Sequence, residues 1–354
     1  MKKLFYAACC CVIFACTSCH QADDGKVIDV DLNTAEGEIA YSRFVKSVDG
    51  ITLWLPDSLP VNGVERLFFD DHKVFMKDSG GEGIFVFDKG TGKLLSRLDA
   101  FGEGPEEIKR IGGFCLDIYH KQMCIFDKGD QKLKRYDYEG NYVSSVPFSP
   151  FVLDMVKLDE NSMTYFYPVY AGGGQPEGVW TCDSLGRFKK QLDSHVTEDC
   201  KFHYFPMMYN WNDTCAYCYD RNWDELSIVT ADTLQLLYSF ALRQSIPLSM
   251  KGMRNLSLQD LEGHVILHYF ACSDHFLLMN FYTFHQEETE GKEMTWLLFD
   301  RRTGEKVISK SLKNDLVPGH AVEGHSLFYK DNHTWVRVDD SSDDGIRLEL
   351  LHLR

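Results

Sequence analysis

Two segments of the chain, residues 83–95 and 132–143, share one pattern: an alternating apolar strand, an aspartate, a tight turn containing glycine and a second alternating strand. The pattern predicts a β-hairpin, because alternation gives each strand one buried face and Asp and Gly favour tight turns. The two aspartates, Asp88 and Asp137, are 49 residues apart, which leaves room for one four-stranded unit. A hairpin that recurs at this spacing predicts a β-propeller, in which each unit is one blade.

The same turn recurs along the rest of the chain. Successive intervals between the turns are 49, 46, 49 and 68 residues, and the turns are expected at Asp88, Asp137, Asp183, Asp232 and Asp300. One insertion, residues 241–262, explains the long last interval, and we expect it to form a loop with a short helix. Each turn aspartate is predicted to hydrogen-bond the backbone of its own turn, which is a folding role.

The predicted strands form five complete blades and one incomplete blade. The chain ends in three strands, at residues 324–330, 333–339 and 346–353, which is one strand fewer than a blade requires. Closed propellers remove such an unpaired edge by borrowing a strand from the opposite terminus. Residues 26–32 and 51–55 are predicted strands that are available for this pairing. The sequence therefore predicts an all-β fold, a six-bladed β-propeller closed by pairing of its N- and C-terminal strands.

The N-terminus has the pattern of a secretory signal peptide. A basic start precedes 12 uncharged, mostly apolar residues, too few to span a hydrocarbon core of about 30 Å. A small residue then precedes a cysteine, which resembles the lipobox of bacterial lipoproteins, where the thiol receives diacylglycerol. Cys19 is the favoured lipidation site because a polar acidic stretch follows it, Cys16 is the alternative, and an unlipidated signal peptide with incidental cysteines is the other interpretation. We expect a signal peptide, a tether with a lead-in strand, and the propeller at residues 1–18, 19–50 and 51–354.

Charge excludes one class of partner. The chain has 53 acidic and 37 basic residues and a formal net charge of −16. Nucleic-acid binding requires concentrated positive charge, so no nucleic acid is expected. The signal region predicts a lipid-anchored protein of the cell envelope of a Gram-negative bacterium, with the outer membrane favoured. The membrane is then a partner through the anchor.

The residues that could bind metal or form disulfides are interpreted as structural. An odd number of body cysteines does not form a disulfide framework, so the thiols are predicted to be free core residues: Cys115, Cys124, Cys182, Cys200, Cys215, Cys218 and Cys272. The pair Cys215 and Cys218 has metal-site spacing, but residues i and i+3 on a strand face opposite sides. His264 and His268 lack the glutamate and the helix of a zinc-protease motif. No metal and no cofactor is predicted.

Residues 101–107, with the sequence Phe-Gly-Glu-Gly-Pro-Glu-Glu, connect the first two predicted blades. The segment resembles the F-G-x-G-P-x-E connector of six-bladed propellers related to NHL repeats. That group includes NHL/TolB-like lipoprotein families of uncharacterised function. The resemblance implies a six-bladed fold and an outward-facing, lipid-anchored binding protein, and it implies no agreed activity.

Ligand-binding residues are expected where the connectors between blades form a rim around the central channel. The rim is expected to draw on residues 101–111, 193–201, 241–262 and 313–323. Basic and imidazole side chains on or beside these connectors form an unusual set inside an acidic protein. The candidate ligand-binding residues are Arg110, His195, His203, Arg243, Arg254 and His320.

The leading functional hypothesis is a binding module whose rim captures a protein, a peptide or a glycan at the cell envelope. One alternative is a hydrolase or lyase acting on polysaccharide, in which Glu103 and Glu107 would work with a histidine. Another is an accessory subunit of an envelope complex. No nucleophile motif identifies a catalytic residue, so the sequence leaves the question of an enzyme open and favours a binding protein.

Overall fold

Four-stranded antiparallel sheets follow one another along the chain, as the repeated hairpins predict. The computed structural model describes residues 26–56, 58, 59, 61–80, 83–148, 152, 154–167, 178–192, 207–210, 214–221, 223–251, 256–285, 293–317, 322, 326–339 and 345–354. Five such sheets, and a sixth that gains a parallel fifth strand, form the blades of a β-propeller, so the predicted fold class is confirmed.

The strands are numbered along the chain, starting with β1 (Lys26–Val30), β2 (Ile39–Ala40) and β3 (Val45–Leu53). Blade 1 contains β4 (Val64–Phe69), β5 (Lys73–Asp78), β6 (Ile84–Asp88) and β7 (Leu94–Leu98). Blade 2 contains β8 (Ile111–Asp117), β9 (Gln122–Asp127), β10 (Lys132–Asp137) and β11 (Tyr142–Pro147). Blade 3 contains β12 (Asp154–Val156), β13 (Ser162–Tyr167), β14 (Gly178–Asp183) and β15 (Phe188–Gln191).

Blade 4 contains β16 (Met207–Asn210), β17 (Cys215–Asp220), β18 (Glu225–Thr230) and β19 (Leu234–Leu242). The insertion that follows holds the expected helical structure as two short helices, α1 (Leu248–Lys251) and α2 (Leu258–Leu261). Blade 5 contains β20 (Val265–Cys272), β21 (Phe276–Thr283), β22 (Met294–Asp300) and β23 (Lys306–Ser309), and β24 (Leu312–Lys313) follows it. Blade 6 contains β25 (Leu327–Asp331), β26 (Thr334–Asp339) and β27 (Ile346–Leu353). None of the helices in the described residues is long and apolar enough to cross a membrane.

The two ends of the chain close the ring. Strand β3 pairs antiparallel with β27 as the outer strand of blade 6, with Leu53 opposite Ile346 and Val45 opposite Leu353. Pairing between the chain termini, as predicted, is therefore confirmed. The closing strand begins at Val45, six residues before the domain boundary drawn at residue 51.

A buried ion pair lies beside this closure. Arg337 on β26 and Glu349 on β27 are opposite each other, and each side chain is only 2% exposed. Both Nε and Nη2 of Arg337 donate to Glu349 Oε2 at 2.9 Å. Phe44, which immediately precedes β3, packs on Trp335 with ring centroids 5.7 Å apart. The last blade is thus joined to the N-terminal segment by backbone pairing and aromatic packing together.

The N-terminal segment also covers blades 4 and 5. Strand β1 pairs in parallel with β19 and becomes a fifth strand of blade 4, and β2 pairs in parallel with β24 after blade 5. Residues 26–32 were expected to be available for closing the ring, so their place on blade 4 corrects that expectation. The segment covers the outer edges of three successive blades, which protects unpaired strand edges.

Aspartate side chains organise four of the five hairpin turns. In blade 1, Asp88 Oδ1 accepts a hydrogen bond from the backbone N–H of Thr91 at 2.7 Å. Equivalent bonds to backbone N–H groups two to four residues later are made by Asp137, Asp183 and Asp300. Each turn also needs a glycine, because φ lies between +69° and +91° at Gly92, Gly140, Gly186 and Gly304. The predicted folding role is confirmed for these four aspartates.

The turn of blade 4 differs. Here Thr230 Oγ1 accepts from the backbone N–H groups of Asp232 at 3.2 Å and Thr233 at 3.0 Å. The prediction that Asp232 organises this turn was therefore wrong. A hydroxyl and a carboxylate can accept the same backbone hydrogen bonds. The spacing of the turns therefore does not show whether Thr230 or Asp232 is the acceptor.

We expect Thr230→Val to destabilise the protein by about 0.5–1.5 kcal/mol, because it removes the turn acceptor while keeping the side-chain shape. The control Asp232→Ala is expected to change stability by less than about 0.5 kcal/mol. Chemical unfolding of both variants measures the difference. A larger loss for Asp232→Ala would contradict the assignment of Thr230.

We expect Glu349→Ala to cost about 3–5 kcal/mol, because it leaves the buried Arg337 guanidinium without its partner. The matched control is Glu305→Ala, which removes a glutamate from an exposed pair with Arg43, whose side chains are 50% and 66% exposed. This control is expected to cost less than about 1 kcal/mol. Thermal and denaturant unfolding compare the two, and equal losses would show that the closure does not depend on the buried pair.

Candidate functional site

The two faces of the ring carry different kinds of loop. Strands in each blade alternate in direction, so the connectors between blades and the loops between second and third strands emerge on the same face. We call this the connector face. The hairpin turns described above emerge on the opposite side, which we call the turn face.

Arg66 crosses the centre of the ring. It extends from β4 in blade 1 and donates through Nη2 to Asp154 of blade 3 and through Nη1 to the backbone oxygen of Met208 of blade 4, the latter at 2.9 Å. The carboxylate of Asp154 also accepts the backbone N–H of Met208 at 2.8 Å. Blades 1 and 4 are on opposite sides of a six-membered ring, so these groups close the channel at this level. We call Arg66, Asp154 and the backbone of Met208 the channel plug.

The electrostatics of the plug favour a charged guanidinium. Burial acts to lower the pKa of Arg66, but the carboxylate of Asp154 outweighs it and raises that pKa above its ordinary value. A second guanidinium, that of Arg221, lies in the wall and donates to the backbone oxygen of His268 at 3.1 Å. Burial lowers the pKa of Arg221, and the positive charge of Arg66 acts in the same direction. The guanidinium of Arg221 is therefore close enough to Arg66 for their charges to interact.

Positive charge continues outward from the plug to the boundary of blades 1 and 2. Lys77 on β5 is opposite Arg66 in the sheet register, has a side chain only 8% exposed and pairs with Glu65. Lys128 follows β9 and donates its backbone N–H to the oxygen of Arg110 at 2.9 Å. We call Lys77, Arg110 and Lys128 the cationic rim.

The charges of the cationic rim repel one another. Burial lowers the pKa of Lys128, and the positive charges of Arg110 and Lys77 lower it further, against an opposing effect of Glu65. Positive charges that lie close together repel one another, and a bound anion would reduce that repulsion. The cationic rim is therefore the candidate position for an anionic ligand.

A buried carboxylate fixes the backbone that presents Arg110. Asp127 is fully buried and accepts the backbone N–H groups of Lys109 at 2.9 Å and Arg110 at 3.0 Å. It also accepts the backbone N–H of Gly129 at 2.9 Å and pairs with Lys134 Nζ at 2.8 Å. Lys134 is fully buried too, bonds the backbone oxygen of Glu107 and pairs with Asp130 at 3.1 Å. Burial acts to raise the pKa of Asp127, but Lys134 and the backbone donors hold it below its ordinary value. The start of β8 is thereby held in one position.

The segment that resembles the F-G-x-G-P-x-E connector has a folding role. Glu107 Oε2 accepts the backbone N–H of Gly104 at 2.8 Å. A Cβ atom at Gly102 would lie 2.0 Å from the same oxygen, so only glycine leaves room for the carboxylate. Glu103 pairs with Lys109 at 2.7 Å. The two glutamates that the enzyme hypothesis requires are both engaged inside the connector.

The structure separates the two predicted arginines that it describes. Arg110 belongs to the cationic rim. Arg243 lies at the outer edge of blade 4, across the ring, where it pairs with Asp29 at 3.4 Å and Asp31 at 3.1 Å. The remaining predicted side chains lie outside the described residues: His195, His203, Arg254, His320, and the lipidation candidates Cys16 and Cys19.

Four cations near the channel were not predicted from sequence: Arg66, Lys77, Lys128 and Arg221. The sequence did indicate Arg66 and Lys77, because each is a basic residue that interrupts the apolar pattern of a predicted strand. Within the part of the chain that the structure describes, no group of three or more His, Cys, Asp or Glu residues is placed to hold a metal ion.

The fold and this site define a class: a six-bladed β-propeller with a closed channel and a cationic rim on its connector face. The chain belongs to the family described as "Domain of unknown function (DUF4934)", whose model matches residues 25–343. No curated protein matches the chain.

Two solved structures are similar to the chain. One is from Bacteroides fragilis and is named as an exported protein; it has 16% sequence identity and a TM-score of 0.68, with 93% of this chain and 100% of that chain covered. The other is a member of the DUF4221 family from Bacteroides vulgatus; it has 9% identity and a TM-score of 0.56, with 88% and 97% covered. At these identities the likeness shows the fold alone.

We expect Asp127→Ala to cost about 3–5 kcal/mol at neutral pH, because it leaves the buried Lys134 with Asp130 alone, at 3.1 Å, and removes the acceptor of three backbone N–H groups. The control Asp99→Ala removes a carboxylate that is 63% exposed and 3.8 Å from Arg97, and its cost should stay below about 1 kcal/mol. Denaturant unfolding measures both, and equal losses would contradict the role given to Asp127.

The carboxylate of Asp127 also makes the free energy of unfolding depend on pH. A lowered pKa in the folded state means that the unfolded chain binds the proton first, so stability is lost as the pH falls below about 4. Asp127→Asn should therefore lose less stability than the wild type between pH 5 and pH 3, in unfolding curves recorded at each pH. An identical loss in both proteins would exclude Asp127 as a source.

Proposed function

We propose that this protein is a lipid-anchored binding protein of the cell envelope that captures an anionic protein, peptide or glycan on its connector face. The observation that carries the proposal is the cationic rim, where the charges of Lys77 and Arg110 act on Lys128 and Glu65 pairs with Lys77, inside a chain of net charge −16. An acidic surface repels anions elsewhere, so one basic cluster concentrates them at one place. A carboxylate, sulfate or phosphate on the ligand would relieve the repulsion within the cluster.

Binding fits this site better than catalysis does. The channel plug closes the centre of the ring, so the connector face has a floor at the level of Arg66 rather than an open tunnel. Glu107 holds the connector and Glu103 pairs with Lys109, so neither carboxylate is placed as a free acid or base. The likeness of residues 101–107 to the connector of NHL- and TolB-like lipoprotein propellers supports the same class of protein.

The direction of β1 supports an outward-facing rim. Strand β1 runs parallel to β19, which leads from the turn face to the connector face, so Lys26 is at the end nearer the turn face. The seven Cα–Cα steps from Cys19 to Lys26 span at most about 25 Å. A lipid on Cys19 would hold the turn face towards the membrane and leave the cationic rim exposed. The similar Bacteroides fragilis protein, which is named as exported, supports a place outside the cytoplasm.

The proposal is tested with residues 20–354 on an array that pairs acidic glycans and peptides with neutral counterparts of the same length. We expect capture of acidic members only, and weaker capture at high salt because exposed charges are screened. Calorimetry should then give about a tenfold or larger loss of affinity for Arg110→Ala and for Lys128→Ala, which is the effect of losing one charge-assisted hydrogen bond.

The matched control is Arg187→Ala, which removes an arginine that is 74% exposed on the turn face. It should bind like the wild type. Binding should also weaken as the pH rises through the lowered pKa of Lys128, before an ordinary lysine loses its proton. Capture of neutral members, or equal affinity of the Arg110 and Arg187 variants, would overturn the assignment of the cationic rim.

A further inference from the structure

Two cysteines of blade 2 are direct neighbours. Cys115 on β8 and Cys124 on β9 are opposite each other in the antiparallel register. Residues directly opposite on such strands point to the same side of the sheet. The two thiols share a hydrogen bond, which together with burial raises the pKa of Cys115. No chain movement is needed to bring the two sulfur atoms into contact.

The pair is enclosed between blades 2 and 3. Cys115 is 0% and Cys124 is 1% exposed, and both belong to an apolar cluster with Phe126, Phe148 and Tyr165. A third thiol, Cys182 of β14, is buried in the same cluster, but its partner in the register is Met163. Cys182 therefore shares the environment of the pair without a cysteine opposite it.

The strand geometry suits a covalent bond. Opposite Cα atoms in an antiparallel pair are about 4.5–5.5 Å apart, which lies within the range of about 4.4–6.8 Å found across disulfides. The Cβ atoms of such a pair need to approach by less than about 1 Å to reach the disulfide distance. A small adjustment of the two side chains is enough.

We propose that Cys115 and Cys124 form an intrachain disulfide when the chain folds in an oxidising medium. One thiolate attacks a sulfur of an oxidant that is itself a disulfide, which forms a mixed disulfide and releases one oxidant thiol. The other cysteine then attacks the protein sulfur of the mixed disulfide and releases the second oxidant thiol. The two protein thiols lose two electrons and two protons, and the oxidant disulfide takes them up as two thiols.

Burial determines at which stage of folding the disulfide can form. Exchange needs access to the oxidant, and that access is lost once blade 2 packs on blade 3 and buries both sulfur atoms. The two cysteines are nine residues apart in one hairpin, so they meet before the long-range contacts of the ring form. The bond is made during folding and is then protected. The structure contains Cys115 and Cys124 as free thiols, as the sequence predicts. One oxidised pair among the body cysteines is compatible with their odd number.

The test is to unfold the full purified chain under reducing conditions and refold it in a buffer of oxidised and reduced glutathione. The product is alkylated in denaturant and digested with trypsin. Lys121 lies between the two cysteines, so cleavage leaves residues 111–121 and 122–128 as separate peptides that only a disulfide can join. We expect the joined peptide to predominate, with Cys182 alkylated. The joined peptide should disappear in Cys115→Ala and in Cys124→Ala and persist in Cys182→Ala.

Alkylation of Cys115 and Cys124 as complete as that of Cys182 would overturn the proposal. A mixture of disulfides between different cysteine pairs would overturn it as well, because the inference depends on the specific register of β8 and β9. Refolding in glutathione does not involve a membrane or a ligand. The result is therefore independent of the anchor and of the cationic rim.

Discussion

Every blade of this ring has a strand edge that needs a partner, and the last blade has no fourth strand of its own until β3 joins it. The backbone hydrogen bonds between β3 and β27 connect residues 45–53 with residues 346–353, the two ends of the propeller. Until they form, blade 6 exposes an unpaired edge and the rim around the channel is incomplete.

Buried charge is handled in two ways in this structure. Arg337 with Glu349, Lys134 with Asp127, and Arg66 with Asp154 are each paired, so the cost of removing them from water is offset by a partner. Lys128 is different, because its neighbours Arg110 and Lys77 carry the same charge. Paired charges stabilise the ring, whereas Lys128 has like charges beside it that Glu65 opposes.

The plug and the rim are linked through the sheet of blade 1. Arg66 on β4 is opposite Lys77 on β5, so the cation that crosses the channel and the cation that begins the rim are neighbours. A ligand that binds the rim would therefore act on a strand that also contacts blades 3 and 4 through Arg66.

The sequence by itself determined the blades, their number and the closure, because alternating strands, turn aspartates and turn glycines act locally and repeat at a fixed spacing. It also predicted Arg110 as a member of the rim, since the connector that carries Arg110 follows from the same spacing. Local patterns failed at Thr230, where either of two residues can accept the turn hydrogen bonds, and at β1, which has strand character but no local signal for its partner.

Only the tertiary structure decided which groups lie next to the basic side chains. Arg66 and Met208 are 142 residues apart, and Lys77 and Lys128 lie on different blades, so no local pattern brings them together. Closing the ring brings the ends of distant strands close to one axis. It also places Arg243 at an outer edge, where it pairs with Asp29 and Asp31. Charges that are separated along the chain acquire their interactions from that geometry, because electrostatic energy depends on distance in space.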